Sequence, residues 1–177
     1  MIGIIGQGFV GNAVYQKFKN FYEVLTYDLD ESKCNSTKEE LFNQCGYIFV
    51  CLPTPMNKDG SCNIDIIDKV LDELDLLADN HETARTIIVK STVPPGTTEK
   101  WNDRFHSLNV IFSPEFLTER NAVEDFNNQD RIILGGPRPH TSEVKRIFSK
   151  VFPKARIIKT NSSLLLTWSN ALRSFGK

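Results

Sequence analysis

Ile2-Gly3-Ile4-Ile5-Gly6-Gln7-Gly8-Phe9-Val10-Gly11 opens the chain, and a second apolar run, Val24-Leu25-Thr26-Tyr27, ends in the acid Asp28. The first run has strand length and breaks at once into glycines. Asp28 follows Gly6 at the spacing of about 20 residues that a dinucleotide-binding βαβ unit needs between its glycine turn and its ribose-binding acid. Each glycine has its own task. Gly6 permits a tight turn out of the strand, and Gly8 removes a side chain where a pyrophosphate must approach the backbone. Gly11 lets the following helix sit close on the strand, so that its free N–H groups and positive end face the phosphates. A lone G-x-G-x-x-G is weak evidence, because glycine is common in turns. Strand, glycine turn, helix, strand and acid in that order are much stronger. The chain is expected to bind a dinucleotide.

The composition narrows the class. With 177 residues, 40% of them hydrophobic, the chain can build one sizeable core and is short for two full domains. A net charge of −1, with no run of like charges, gives no sign of a nucleic-acid or membrane surface. His81, His106 and His140 are far apart, and Cys34, Cys45, Cys51 and Cys62 form no C-x-x-C pair, so no metal site is expected. Cys51 lies within an apolar run and reads as a buried thiol. A first strand at residue 2 leaves no room for a signal peptide, and no apolar run approaches membrane-spanning length. The expected setting is cytoplasmic.

Strand-length apolar runs recur: Ile2–Ile5, Glu23–Tyr27, Tyr47–Leu52, Thr86–Lys90, Val110–Phe112, Arg131–Leu134 and Arg156–Lys159. Helical periodicity fills much of the intervening sequence, most clearly Ile64–Ala78 and Thr141–Val151. The aspartates of the first of these read as a solvated face. A shorter helix, Lys38–Gln44, is predicted from Thr37 as N-cap with Glu40 three residues on. Alternating β and α units imply a Rossmann-type, doubly wound parallel α/β sheet, since a parallel crossover needs a helix-sized connection. The expected division is one nucleotide-binding domain, 1–160, followed by a helix over 161–177. That helix has Leu164, Leu165, Trp168 and Leu172 along one stripe, which is expected to pack on the domain or pair two copies as a homodimer.

Ligands of open parallel sheets collect beyond the C-terminal ends of the strands. Three stiff, hydroxyl- or carboxylate-bearing loops fall there: Leu52-Pro53-Thr54-Pro55, Ser91-Thr92-Val93-Pro94-Pro95-Gly96-Thr97-Thr98 and Ser113-Pro114-Glu115-Phe116-Leu117. With Gly6–Gly11, Lys90 and Asp130-Arg131-Ile132-Ile133-Leu134-Gly135, these motifs occur in an order that closely resembles the N-terminal NAD-binding domain of the UDP-glucose/GDP-mannose dehydrogenase family. The resemblance covers essentially the whole chain. It implies NAD as cofactor and a nucleotide sugar as substrate. Members of the family oxidise a primary alcohol to a carboxylate by way of an aldehyde trapped on a cysteine.

Carried over position by position, the resemblance implies that Asp28 holds the adenosine ribose with Lys33 beside it. Gly6, Gly8, Phe9, Val10, Gly11, Pro53, Thr54, Ser91, Thr92 and Glu115 would complete the cofactor set. Thr92 and Glu115 would orient a water or a proton, and Phe116 and Leu117 would offer backbone groups to the sugar. Asn170 matches the family's asparagine on the following helix.

Two departures concern the chemistry. The family's lysine, four residues before that asparagine, is Leu166 here, which offers neither charge nor hydrogen bond to an oxyanion. None of the four cysteines sits in the family's cysteine motif, and the nucleotide-sugar half does not follow within the 177 residues. The segment from Asp28 to Tyr47 is also short for the family. Three readings follow: a truncated nucleotide-sugar dehydrogenase not competent for the full reaction alone, one subunit of a split enzyme working with a partner chain, or a non-enzymatic NAD(H)-binding sensor, sequestering or interaction module.

Overall fold

The computed structural model describes residues 1–78, 84–115 and 117–160. The expected helix over 161–177, with its apolar stripe, Leu166, Asn170 and the homodimer assigned to it, lies outside the described residues, as does Phe116. Seven strands form one sheet in the order β2-β1-β3-β4-β5-β6-β7. They are β1 Ile2–Ile5, β2 Val24–Tyr27, β3 Tyr47–Val50, β4 Arg85–Val89, β5 Leu108–Phe112, β6 Arg131–Gly135 and β7 Arg156–Thr160. The helices between them are α1 Phe9–Phe18, α2 Lys38–Gln44, α3 Asp65–Ala78, α4 Thr97–Arg104, α5 Ala122–Asn127 and α6 His140–Val151.

β1 to β5 run parallel, as the alternation of elements implies. The β6–β7 pair is reversed, with Phe112 opposite Gly135 across an antiparallel junction. Alternation shows that each connection is long enough to cross the sheet and not that it does so, and the connection from β5 to β6 does not, which corrects the expected all-parallel order at this point.

Helices cover both faces because the central strands are apolar on both. On one face Phe18 of α1 packs against Phe49 of β3 and Phe148 of α6, with ring centroids at 5.0 and 5.6 Å. On the other, Leu41 of α2, Leu71 and Leu74 of α3 and Trp101 of α4 are buried against the sheet. Each such side chain contributes about 1.5–3 kcal/mol. The acids of α3 are only partly solvated: Asp68 accepts from the Trp101 indole N–H at 2.5 Å, and Asp72 pairs with Arg104 at 2.5 Å. They tie α3 to α4.

The connection from β2 to β3 contains only a short 3-10 turn, Glu31–Lys33, and α2. Among the described residues no strand pairs outside β2. Asn35 blunts the edge instead: its side-chain oxygen accepts from Thr26 N–H at 2.7 Å and its amide donates to the Val24 carbonyl at 3.0 Å. α2 then starts on a complete capping box, with the Thr37 hydroxyl accepting from Glu40 N–H and the Glu40 carboxylate accepting from Thr37 N–H. β1 lies between β2 and β3, so the winding reverses between β1 and β3. A crevice opens there, at the strands' C-terminal ends.

Candidate functional site

Gly6 leaves β1 with φ +91°, and a Cβ there would stand 2.5 Å from the Cys51 carbonyl oxygen. A Cβ on Gly11 would lie 1.8 Å from the Gly6 carbonyl oxygen, so α1 rests directly on the turn. At Gly8 a Cβ would meet nothing within 4 Å. Space is kept open over the backbone at that point. The first turn of α1 carries no acid, and the capping residue Gly8 supplies no side-chain acceptor. Its first N–H groups are therefore available, at the positive end of the helix, for an anion.

Asp28 stands at the tip of β2, fixed in place by two backbone donors. Gln7 N–H bonds one carboxylate oxygen at 2.5 Å and Asp30 N–H the other at 2.9 Å. An ionised carboxylate has about four acceptor positions, so capacity remains for ribose hydroxyls. Beneath it, the Cys34 thiol donates to the Asp28 carbonyl at 3.1 Å and accepts from the Asp28 N–H at 3.1 Å. Lys33 reaches the same end of the crevice but pairs with Asp30 at 3.2 Å. Hydrogen bonds from Ser32 and Lys33 hold the Asp30 carboxyl below the usual carboxylate range.

The crevice is a cleft of about 720 Å³, a size suited to a small-molecule ligand. Of the residues carried over for the cofactor, Gly6, Gly8, Phe9, Val10, Asp28, Lys33, Pro53 and Ser91 line it. Gly11 sits behind the turn. Thr54, Thr92, Glu115 and Leu117 do not line this cleft; they occupy the loops that follow β3, β4 and β5. Thr54 and Leu117 are half-buried and Thr92 is exposed. The Thr92 carbonyl accepts the Cys62 thiol at 3.6 Å.

Ser91 does something more specific than line the wall. Its hydroxyl accepts from Leu52 N–H at 3.0 Å and donates to the Leu52 carbonyl at 2.7 Å, clamping the Pro53 loop onto β4. Glu115 forms a buried ion pair with Lys90 at 2.6 Å, with both side chains under a tenth exposed. The Lys90 ammonium also reaches the Ser113 hydroxyl at 3.3 Å and lies 5.7 and 5.8 Å from the ring centres of Phe126 and Phe148. Two charges taken from water need such partners, and the pair holds the ends of β4 and β5 together.

Several lining residues were given no site role in the sequence reading. Lys90 ends an apolar strand, where a lone lysine was a signal. Cys51, read as buried, lines the cleft floor, although its environment is apolar enough to push the thiol up to about 12; Lys90 pulls it down and Glu115 pushes it further up. A thiol so raised stays protonated and is a poor nucleophile. Leu29, Lys38, Ile66, Lys69, Val70 and Glu73 come from α2, α3 and the loop after β2, and no local pattern marks them. The Lys38 ammonium is penalised by burial, yet the Glu73 hydrogen bond and charge raise it above the usual lysine value.

An open doubly wound sheet with a glycine turn, an uncapped helix N-terminus and an acid at the tip of β2 defines a dinucleotide-binding protein. Residues 34–154 match the NAD-binding domain of the UDP-glucose/GDP-mannose dehydrogenase family, and the chain belongs to that family. It is 29% identical to UDP-glucose 6-dehydrogenase of Campylobacter jejuni, covering 88% of this chain and 47% of that protein. Among solved structures it resembles a UDP-glucose dehydrogenase from Pyrobaculum islandicum, with a TM-score of 0.83 at 21% identity over 98% of this chain and 49% of that one. It also resembles a GDP-mannose dehydrogenase from Pseudomonas aeruginosa, with a TM-score of 0.78 at 20% identity over 98% of this chain and 51% of that one. The chain spans from a fifth to about half of the length of the curated relatives it matches. The fold class and NAD as cofactor accord with the sequence reading. Among the described residues no helix is long and apolar enough to cross a membrane.

Proposed function

We propose that the chain is the cofactor half of a nucleotide-sugar dehydrogenase, binding NAD(H) along the cleft while the reactive thiol and the sugar site come from outside these 177 residues. The observation that carries the reading is the convergence of the open backbone at Gly8, the uncapped start of α1 and the doubly anchored Asp28 on one crevice. Pyrophosphate fits the first two, because it needs close backbone approach and free donors. Ribose hydroxyls fit the third. Thr92 and Glu115, in the loops after β4 and β5, are assigned to the chemistry. Glu115 is engaged by Lys90, so its carboxylate is free to reach a substrate proton only when that bond loosens. Leu117 and Phe116 are assigned to the sugar, and Asn170 to the water or oxyanion.

NAD(H) is preferred over NADP(H) on this reading, because Asp28 repels a 2′-phosphate and Lys33 is already engaged by Asp30. Calorimetric titration checks it. Asp28→Ala is expected to weaken NAD⁺ binding about ten- to a hundredfold, the loss of charge-assisted hydrogen bonds being worth roughly 1.5–3 kcal/mol. Equal affinity of the unaltered protein for NAD⁺ and NADP⁺ would refute the assignment of Asp28.

A further inference from the structure

The cleft does not end at Asp28. Its lining also takes in α2 and α3, from which Ile66 and Val70, with Leu29 from the loop after β2, supply apolar walls beside the Lys38–Glu73 ion pair. Leu29 is 94% exposed and Ile66 40%, so these walls lack an apolar neighbour of their own. The short β2–β3 connection is what brings α2 into this position. Lys38, the first residue of α2, is held by the Thr37 capping box and lies 5.1 Å from the centre of the Tyr27 ring. Its ammonium engages one Glu73 oxygen, leaving that carboxylate's other oxygen and the remaining ammonium hydrogens with bonding capacity. A flat heteroaromatic slipped between the apolar walls would meet an acceptor and a donor side by side.

We infer that the Lys38–Glu73 pair reads the edge of the adenine base and makes this site selective for adenine dinucleotides. The inference rests on the proposed placement of NAD(H) along the cleft, with its ribose at Asp28. Adenine offers an exocyclic amino group to Glu73 and a neighbouring ring nitrogen to Lys38. Hypoxanthine carries a carbonyl oxygen in place of that amino group, and its protonated ring nitrogen is a donor. Against Glu73 the carbonyl sets oxygen beside oxygen, and against Lys38 the ring N–H sets donor beside donor. A site built to hydrogen-bond a polar group discriminates strongly against an analogue that lacks it, because its own polar atoms are left unpaired.

Isothermal titration of the 177-residue protein with NAD⁺ and with nicotinamide hypoxanthine dinucleotide is the test. NAD⁺ is expected to bind about tenfold tighter or more, the scale of a lost charge-assisted hydrogen bond. Glu73→Gln, whose amide can donate to the hypoxanthine carbonyl, is expected to narrow the gap, and Glu73→Gln combined with Lys38→Met to bring it to about twofold or less. Asp28→Ala is expected to weaken both ligands alike and leave the gap intact. Tight NAD⁺ binding with no preference in the unaltered protein would overturn the inference and leave the cofactor reading standing; the pair would then only tie α2 to α3. A preference that persists in both Glu73→Gln and Lys38→Met would overturn it too. Failure of NAD⁺ to bind would bring down the cofactor reading and the inference together.

Discussion

A methyl group at Gly11 would stand 1.8 Å from the Gly6 carbonyl oxygen, whereas one at Gly8 would meet no atom within 4 Å. The two glycines of one motif therefore fail in different ways. Gly11→Ala is expected to lower thermal stability, because the backbone of the turn or the helix has to shift. Gly8→Ala is expected to leave stability within about 1 kcal/mol of the original, as is usual for a change at an open position, yet to weaken NAD⁺ binding at least tenfold by obstructing the pyrophosphate. Melting curves and titration on the two variants separate the effects, and an unimpaired Gly8→Ala would remove the phosphates from this turn.

Cysteine titration gives a second test at this scale. Burial raises the Cys51 thiol from an ordinary value of 9.0 to about 12 and the Cys45 thiol to about 11. Unfolded, both lose their protons near 9; folded, both keep them. Above that pH the unfolded chain binds fewer protons, so stability is fully present below pH 9 and declines as pH rises through 9 towards 11. Urea midpoints at about pH 8 and about pH 10.5 should fall for the unaltered protein and fall less for Cys51→Ala. An identical decline in both would place Cys51 in contact with water.

Among the elements, α2 is seven residues long and depends on its ends. A helix of two turns gains little from its own hydrogen bonds, so its cap and its buried Leu41 and Phe42 decide whether it forms. Thr37→Ala removes the acceptor for Glu40 N–H and should cost about 1 kcal/mol. That corresponds to a fall in melting temperature of roughly 2–4 °C for a chain of this size. NAD⁺ binding should weaken as well, because Lys38 would no longer be held against Glu73. This helix and its cap were legible in the sequence, since Thr37 and Glu40 are a local, three-residue signal. α3 and α6 were legible from periodicity. α4 and α5 were not singled out, because eight and six residues give too few turns to establish a period.

For the whole molecule, the functional question is how much chemistry the 177 residues carry. Covalent trapping of an aldehyde needs a positioned thiolate, and the cleft's own thiol, Cys51, is held protonated by burial. On the proposed correspondence Leu166 takes the place of the family's lysine. The protein incubated with UDP-glucose and NAD⁺ is accordingly expected to give no sustained NADH absorbance, and Leu166→Lys is expected not to restore it. Steady turnover by the unaltered chain would overturn this view. NADH production appearing only with a second protein supplying a cysteine-bearing sugar domain would mark a divided enzyme.

The sequence by itself determined the parts whose causes are local. A glycine turn at Gly6–Gly11, an acid after an apolar strand at Asp28, the Thr37–Glu40 cap and the apolar faces of α3 and α6 each depend on residues a few positions apart. Together they pointed to the fold class and to a dinucleotide, and the ordered motifs that resemble the dehydrogenase family narrowed it to NAD. Tertiary structure alone decided what depends on distant segments meeting. It reversed β6 and β7, because the chain after β5 re-enters the sheet at the end where β5 leaves it. It committed the Ser91 hydroxyl to Leu52 and the Glu115 carboxylate to Lys90, so that one candidate became a clamp and the other half of an ion pair. It also drew Cys51 and the Lys38–Glu73 pair to the cleft. Hydrogen bonds and ion pairs act over a few ångströms in space, whatever the separation along the chain. No motif spacing encodes a pair such as Lys38 and Glu73, which becomes a site only once two helices are packed side by side.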